Sequence, residues 1–239
     1  MSRMYRDLAK YYDLIYSWKN YKKEALKVRS LIRKYKRSDG KELLDVGCGT
    51  GRHLLYLRRW FSCTGVDASG EMLKVAKRSV KNVTFKKADM TKMNLNKKFD
   101  IITSLFSAIG YAKTYGDLER AIKNFSKHLK KGGLLIVEPW FTPKTYKSGN
   151  PHLVTYIGKD LKIARLDIPR RRGNISVLDL HFLIGEKNRP VRYLVDHQEL
   201  GLFSTKETLH LLRKHGFDAR FIKVFDYRGN RGLFVCIKL

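Results

Sequence analysis

The sequence predicts an α/β fold: an open, mostly parallel sheet that ends in an antiparallel hairpin and carries an inserted antiparallel β layer. Three observations carry this reading. Short apolar runs alternate with segments of helical period as far as about residue 138. Between about residues 153 and 200 a two-residue alternation replaces them. Two apolar runs then close the chain on either side of a short turn at 227–231.

Taken in order, Ala25, Val28, Leu31 and Ile32 form one apolar stripe and predict a helix over 21–36. A buried strand follows at 41–46, then a helix at 52–60 and a strand at 62–67. Ser69 is placed to cap a helix at 71–80, and a strand follows at 83–88. The spacing next predicts a strand at 100–105, a helix at 115–129 and, after the turn Lys131-Gly132-Gly133, a strand at 134–138. Past Pro143, the runs at 161–166 and 176–182 alternate apolar and polar residues between turn-like clusters. That is the pattern of an antiparallel sheet with one wet face. A helix at 205–215 and strands at 219–226 and 232–237 return to the main sheet, the last two antiparallel because so few residues join them. Residues 1–239 thus read as a single domain, with 151–200 as an inserted sheet expected to cover a substrate.

Composition narrows the class. Apolar residues make up 43% and aromatic residues 12% of 239, which excludes a disordered chain. No apolar stretch reaches the roughly 18 residues needed to span a membrane, and the charged first thirty residues lack the apolar core of a leader. Cys48, Cys63 and Cys236 are far apart and form no C-x-x-C pair, which fits a reducing, cytoplasmic setting. The formal net charge of +28 favours an anionic, phosphate-bearing partner, but the basic residues are spread along the chain and do not choose one. The sequence leaves open whether the chain is a monomer or a homodimer.

The strongest motif is Leu43-Leu44-Asp45-Val46-Gly47-Cys48-Gly49-Thr50-Gly51. Gly47, Gly49 and Gly51 let the backbone take positive φ and let a ligand approach closely. Their G-x-G-x-G spacing differs from the G-x-G-x-x-G that seats a pyrophosphate. Asp45 at the strand end suits a ligand's ammonium. Asp67, followed by Ala68, ends the second strand, where a carboxylate can accept both hydroxyls of a ribose. Asp89 ends the third and can take an adenine amino group while Met90 packs on the ring. Together these identify a Rossmann-like methyltransferase that uses S-adenosyl-L-methionine and releases S-adenosyl-L-homocysteine. No cluster of His, Cys or carboxylates has metal-ligand spacing, so no metal is expected. The segment after the fourth strand, 103–111, lacks the [DNS]-P-P-[YFW] tetrad used on flipped bases, so nucleic acid is not favoured as substrate.

Beyond the glycine turn, the chain carries Tyr12-Asp13-Leu14-Ile15-Tyr16 with Lys19 and Tyr21, then Phe106-Ser107-Ala108-Ile109-Gly110-Tyr111, then Glu138-Pro139-Trp140-Phe141, and finally Arg231-Gly232-Leu233-Phe234. In these it resembles the N,N-dimethyltransferases of nucleotide-linked 3-amino-deoxyhexoses, the desosamine and mycaminose type. The resemblance implies N-methylation of a small, anionic amine such as a nucleotide-linked amino sugar. It implies that Tyr12, Lys19, Tyr21 and Leu105 join the cofactor site. It sets Tyr5, Tyr111 and His181 near the chemistry, and Trp140 and Arg231 against the substrate. The chain departs from that pattern at Gly47, where alanine is usual, and in the rim at 226–230. The competing reading is an RNA or protein methyltransferase that exploits the basic surface.

Overall fold

The computed structural model describes residues 3–5, 7–223 and 232–239. A short 3-10 turn at Arg3–Tyr5 leads into helices α1 (Ala9–Ile15) and α2 (Tyr21–Tyr35), the latter capped by the Asn20 side chain on the Lys23 amide. Then follow β1 (Glu42–Val46), α3 (Leu54–Leu57), β2 (Ser62–Asp67), α4 (Gly70–Ser79), β3 (Thr84–Lys87), β4 (Phe99–Ser104), α5 (Tyr115–His128) and β5 (Leu129–Val137). The second half holds β6 (His152–Ile157), β7 (Leu161–Asp167), β8 (Arg170–Arg172), β9 (Ile175–Glu186) and β10 (Arg192–Gly201). It closes with α6 (Thr205–Lys214), β11 (Phe217–Lys223) and β12 (Gly232–Lys238).

The main sheet has the order β11-β12-β5-β4-β1-β2-β3. β1 to β5 run parallel, while β12 is antiparallel to both β5 and β11. This is the open, mostly parallel sheet with an antiparallel hairpin that the alternation predicts. Its two faces are covered by separate cores: one around Phe99, Phe125 and Phe217, the other around α2, α3 and α4 with Leu43, Ile101 and Ile136. Its place between two covered faces explains why β4 is buried along its whole length.

Two local expectations are revised. The helix read over 52–60 narrows to Leu54–Leu57, because the Arg59 and Trp60 amides bond to Tyr56 and Leu57, three residues back, and tighten the end into 3-10 geometry. The turn at 131–133 lies inside β5: Phe99 pairs with Leu129 and Ile101 with Leu134, so the extra residues bulge while Gly132 takes φ +74°.

The second sheet, β10-β9-β7-β6 with β8 on β9, is antiparallel. Its inner face buries Leu180, Phe182, Ile184 and Ile163 against Met4, Leu8, Tyr11, Tyr12 and Ile15. The N-terminal segment therefore packs between the antiparallel sheet and α4, which contributes Met72. No helix among the described residues is long and apolar enough to cross a membrane.

Candidate active site

The glycine turn leaves β1 with Gly47, Gly49 and Gly51 at φ +73°, +55° and +76°. A side chain at Gly47 would place its Cβ 2.5 Å from the Ala108 Cβ, so the turn is packed around glycine here. Val66 O accepts the Gly47 and Cys48 amides at 2.8 and 3.0 Å, and Asp67 completes the tie between β1 and β2. Its Oδ2 accepts the Gly49 N–H and its Oδ1 the Ser69 N–H, both at 2.8 Å. Burial pushes the Asp67 carboxyl up, against the two amide bonds that favour its charge. Asp45 lies beneath the turn, 2% exposed, and accepts the Thr103 hydroxyl at 2.7 Å. Burial raises its pKa too, opposed by nearby His53 and by the Thr103 bond.

Ala68 is exposed between Asp67 and the Ser69 cap. Asp89 is exposed just past β3, and its Oδ1 accepts both the amide and the hydroxyl of Thr91 at 2.8 Å. Met90 is half-buried against the core, with its carbonyl held by Asn124 at 3.0 Å. Leu105 is buried at the exit of β4.

The N-terminal segment closes one side of the turn. Tyr12 is buried, its ring 6.1 Å from that of Tyr5. Thr50 donates its hydroxyl to Asp13 at 2.6 Å. Lys19, 8% exposed, bonds to Glu24 and lies 4.3 Å from the Phe106 ring centroid. Glu24 also accepts His53 Nε2 at 2.7 Å. Burial alone would raise the Glu24 carboxyl, but its His53 and Lys19 contacts hold it down at about 2. Asp13, Glu24, Thr50 and His53 carry no local signal in the sequence, because Glu24 and His53 stand 29 positions apart. Tyr21 stacks edge-on with His53, and its hydroxyl is a buried donor with no partner among the described residues. Arg52 Nε is buried without a hydrogen-bond partner among the described residues and forms an ion pair with Asp13 across 4.0 Å.

The opposite wall comes from the 3-10 turn Ala108–Ala112 and from β9 and β10. Tyr5 and Tyr111 meet hydroxyl to hydroxyl, their rings 5.5 Å apart and nearly perpendicular. Burial pushes both phenols well above their ordinary range, so neither ionises near neutrality. Tyr111 donates to Gln198 Oε1 at 2.8 Å. Ser69, the residue that donates its amide to Asp67, gives its hydroxyl proton to the Tyr5 carbonyl. Trp140 donates to the buried Ser176 hydroxyl at 3.0 Å. Glu138 of the same Glu-Pro-Trp run accepts the Phe106 amide at 2.7 Å and steadies the left-handed backbone of Phe106 and Ser107.

His181 is not brought to this wall. Leu180 and Phe182 point into the N-terminal cluster, so His181 between them faces outward, exposed, with its Nδ1 2.6 Å from the Tyr193 hydroxyl. This parity sets His181 on the face of β9 opposite the residues packed against the N-terminal cluster. Arg170 and Arg172 are exposed and pair with Asp179 and Glu199. Arg231 lies outside the described residues. No group of three or more His, Cys, Asp or Glu poised for a metal occurs among the described residues.

Residues 43–133 match the family described as "Methyltransferase domain". Over 96% of its length the chain is 34% identical to a dTDP-3-amino-3,4,6-trideoxy-alpha-D-glucopyranose N,N-dimethyltransferase of Streptomyces venezuelae, covering 97% of that protein. It is 31% identical, over 97% of its length and 93% of the relative's, to a dTDP-4-amino-2,3,4,6-tetradeoxy-D-glucose N,N-dimethyltransferase of Saccharopolyspora spinosa. The crystal structure of Streptomyces venezuelae DesVI superposes with a TM-score of 0.89 at 31% identity, covering 97% of this chain and 98% of that one. SAM-bound CalS10, an amino pentose methyltransferase from Micromonospora echinaspora, superposes with a TM-score of 0.82 at 28% identity, covering 92% of each chain.

Proposed function

The chain belongs to the S-adenosylmethionine-dependent methyltransferase family that includes the dTDP-amino-sugar N,N-dimethyltransferases, and from that premise we propose that it methylates the amine of a nucleotide-linked amino sugar. The single observation that carries the proposal is full-length similarity to relatives whose printed acceptors are all of this kind, together with a wall of neutral hydroxyls at the carboxyl ends of the strands. The basic surface needs no RNA to account for it, since a sugar nucleotide is itself anionic.

The residues fit the cofactor. The turn takes positive φ at three glycines, and Tyr21 Oη beside it is a buried donor with no hydrogen-bond partner among the described residues. In this reading Asp67 takes the ribose hydroxyls and Asp89 with Met90 the adenine. Asp45, Gly47, Gly49, Gly51, Tyr12, Lys19, Tyr21, Ala68 and Leu105 complete the cradle. Bound S-adenosylmethionine supplies an electrophilic methyl on a sulfonium. The chain supplies alignment, because a neutral leaving group asks for little charge stabilisation.

The amine must arrive deprotonated, and Tyr5 and Tyr111, held neutral by burial, act as hydrogen-bonding partners rather than bases. Trp140 walls the sugar pocket, Arg231 holds the diphosphate and the sheet His152–Gly201 covers the acceptor. The exposed Leu153, Leu166, Leu183 and Tyr193 on that sheet's outer face support a homodimer, which sedimentation tests. Buried free thiols at Cys48, Cys63 and Cys236 support a cytoplasmic setting.

An acceptor screen that reads S-adenosylhomocysteine release, with nucleotide-amino sugars, polyamines and tRNA side by side, tests the reading. Turnover confined to tRNA would overturn it.

A further inference from the structure

The buried polar residues on the inward face of β10 form a hydrogen-bond chain that has a direction. Asp196 and Gln198 are 1% and 6% exposed, on the same side of the strand as Leu194 and Leu200. The Asp196 carboxylate offers only acceptors: Oδ1 takes the Met4 N–H at 3.1 Å and Oδ2 takes Gln198 Nε2–H at 2.7 Å. That fixes the Gln198 amide with its nitrogen toward Asp196 and its oxygen toward Tyr111. Gln198 Oε1 accepts the Tyr111 proton at 2.8 Å. A phenol has one proton, so Tyr111, having given its own to Gln198, can only accept from Tyr5. The Tyr5 proton is committed in turn. Both phenol oxygens therefore keep lone pairs and have no proton to offer.

We infer that Asp196 and Gln198 are positioning residues that set this direction and make the Tyr5–Tyr111 pair an acceptor-only receptor for the N–H bonds of the substrate amine. The inference rests on the reading of the acceptor as an amine. In the transfer, the nitrogen lone pair forms the N–C bond and the C–S bond breaks with its electrons passing to sulfur. The positively charged nitrogen then releases a proton to water. As charge builds on nitrogen its N–H bonds become stronger donors, so fixed acceptor oxygens bind the transition state more tightly than the ground state. A pair of opposite direction would instead present an O–H to the lone pair that must attack.

Asp196→Asn is the direct test. Its amide oxygen can stay on the Met4 N–H while its NH2 replaces Oδ2. Gln198 then turns over, and the chain reverses until Tyr5 donates into the cleft. Using a nucleotide-linked 3-amino sugar, kcat at saturating cofactor should fall on the order of 10- to 100-fold. Affinity for S-adenosylhomocysteine should stay within about twofold. By calorimetry in the presence of S-adenosylhomocysteine, the amino sugar should bind about tenfold more weakly, and its 3-hydroxy analogue should not.

In a Tyr111→Phe background, where the chain is cut, Asp196→Asn should cost less than about a further twofold. Should Asp196→Asn fail to fold, Gln198→Glu and Gln198→Leu decide. The first shares a proton with Asp196 and still accepts from Tyr111, so it retains activity, while the second loses it. Unchanged kcat and amine affinity in Asp196→Asn, an equal loss in the Tyr111→Phe background, or equal losses in the two Gln198 variants would overturn the inference. A wild-type enzyme that turns over no amine would overturn it together with the acceptor reading.

Discussion

Asp67 reaches across from the end of one strand to hold the glycine turn of another: its Oδ2 accepts the Gly49 amide at 2.8 Å. We propose that the same carboxylate takes the ribose, so that it would organise the turn and meet the ligand at once. Asp67→Ala should lower S-adenosylhomocysteine affinity by about 2–4 kcal/mol, more than a ribose contact alone would cost, because the Gly49 and Ser69 amides lose their acceptor as well. Calorimetry checks this. The wild type should bind no nicotinamide dinucleotide under the same conditions.

Glu24 gives the acid limb of the stability curve a specific origin. Its carboxyl sits at about 2 in the fold against an ordinary 4.5, so its contribution is complete above about pH 4.5 and is lost as pH falls toward 2. At 1.36 kcal/mol per pH unit, that difference amounts to about 3 kcal/mol. In urea unfolding at a series of pH values, the gap between wild type and Glu24→Gln should be constant from pH 5 to 7 and close below about pH 4.5.

Strand parity separates His181 from Tyr111. His181→Ala should leave kcat within about twofold of wild type, since its side chain meets Tyr193 on the outer face. Tyr111→Phe should reduce kcat by about tenfold or more, because it leaves Gln198 Oε1 without its donor and breaks the Tyr5 contact. Steady-state kinetics on one acceptor preparation compares them.

Arg231 carries the diphosphate assignment. If Arg231 binds the diphosphate, as proposed, that contact serves ground and transition states alike, so Arg231→Ala should raise the acceptor KM by about tenfold or more and leave kcat and cofactor affinity near wild type. An unchanged KM would place the phosphate elsewhere.

Chelation should be without effect. Treatment with EDTA and readdition of Mg²⁺ should leave the rate within experimental scatter, and a rate restored only by the metal would reveal a carboxylate site.

The main sheet was legible because each signal was local: apolar runs, the three glycines of the turn, and acidic residues at strand ends. The antiparallel layer was legible from alternation alone. The same alternation held more than was drawn from it. Leu180 and Phe182 point inward, so His181 had to point out, while Leu194, Asp196, Gln198 and Leu200 put two polar residues on a core-facing row. Polar side chains at such positions need partners, and these are supplied by Tyr111 and the Met4 amide, which lie far away in sequence. The pairing of Lys19, Glu24 and His53 left no trace in spacing, because it depends on how α2 packs beside the glycine turn. The end of α3 was misjudged because a 3-10 ending keeps the apolar period of a helix while changing its hydrogen bonds.

Ser69 stands between the two halves of the site, with its amide on Asp67 and its hydroxyl on the Tyr5 carbonyl. Linkage makes this contact work in both directions. Whatever free energy the occupied ribose position passes through Ser69 to Tyr5, an acceptor seated against Tyr5 must return to the cofactor in equal amount. The effect that each ligand has on the other's affinity is therefore one and the same quantity. A replacement at Ser69 that removes the contact should shrink by the same factor the effect of each ligand on the other, and the thermodynamic box closed by the four binding constants would read out the heterotropic coupling carried by a single hydroxyl.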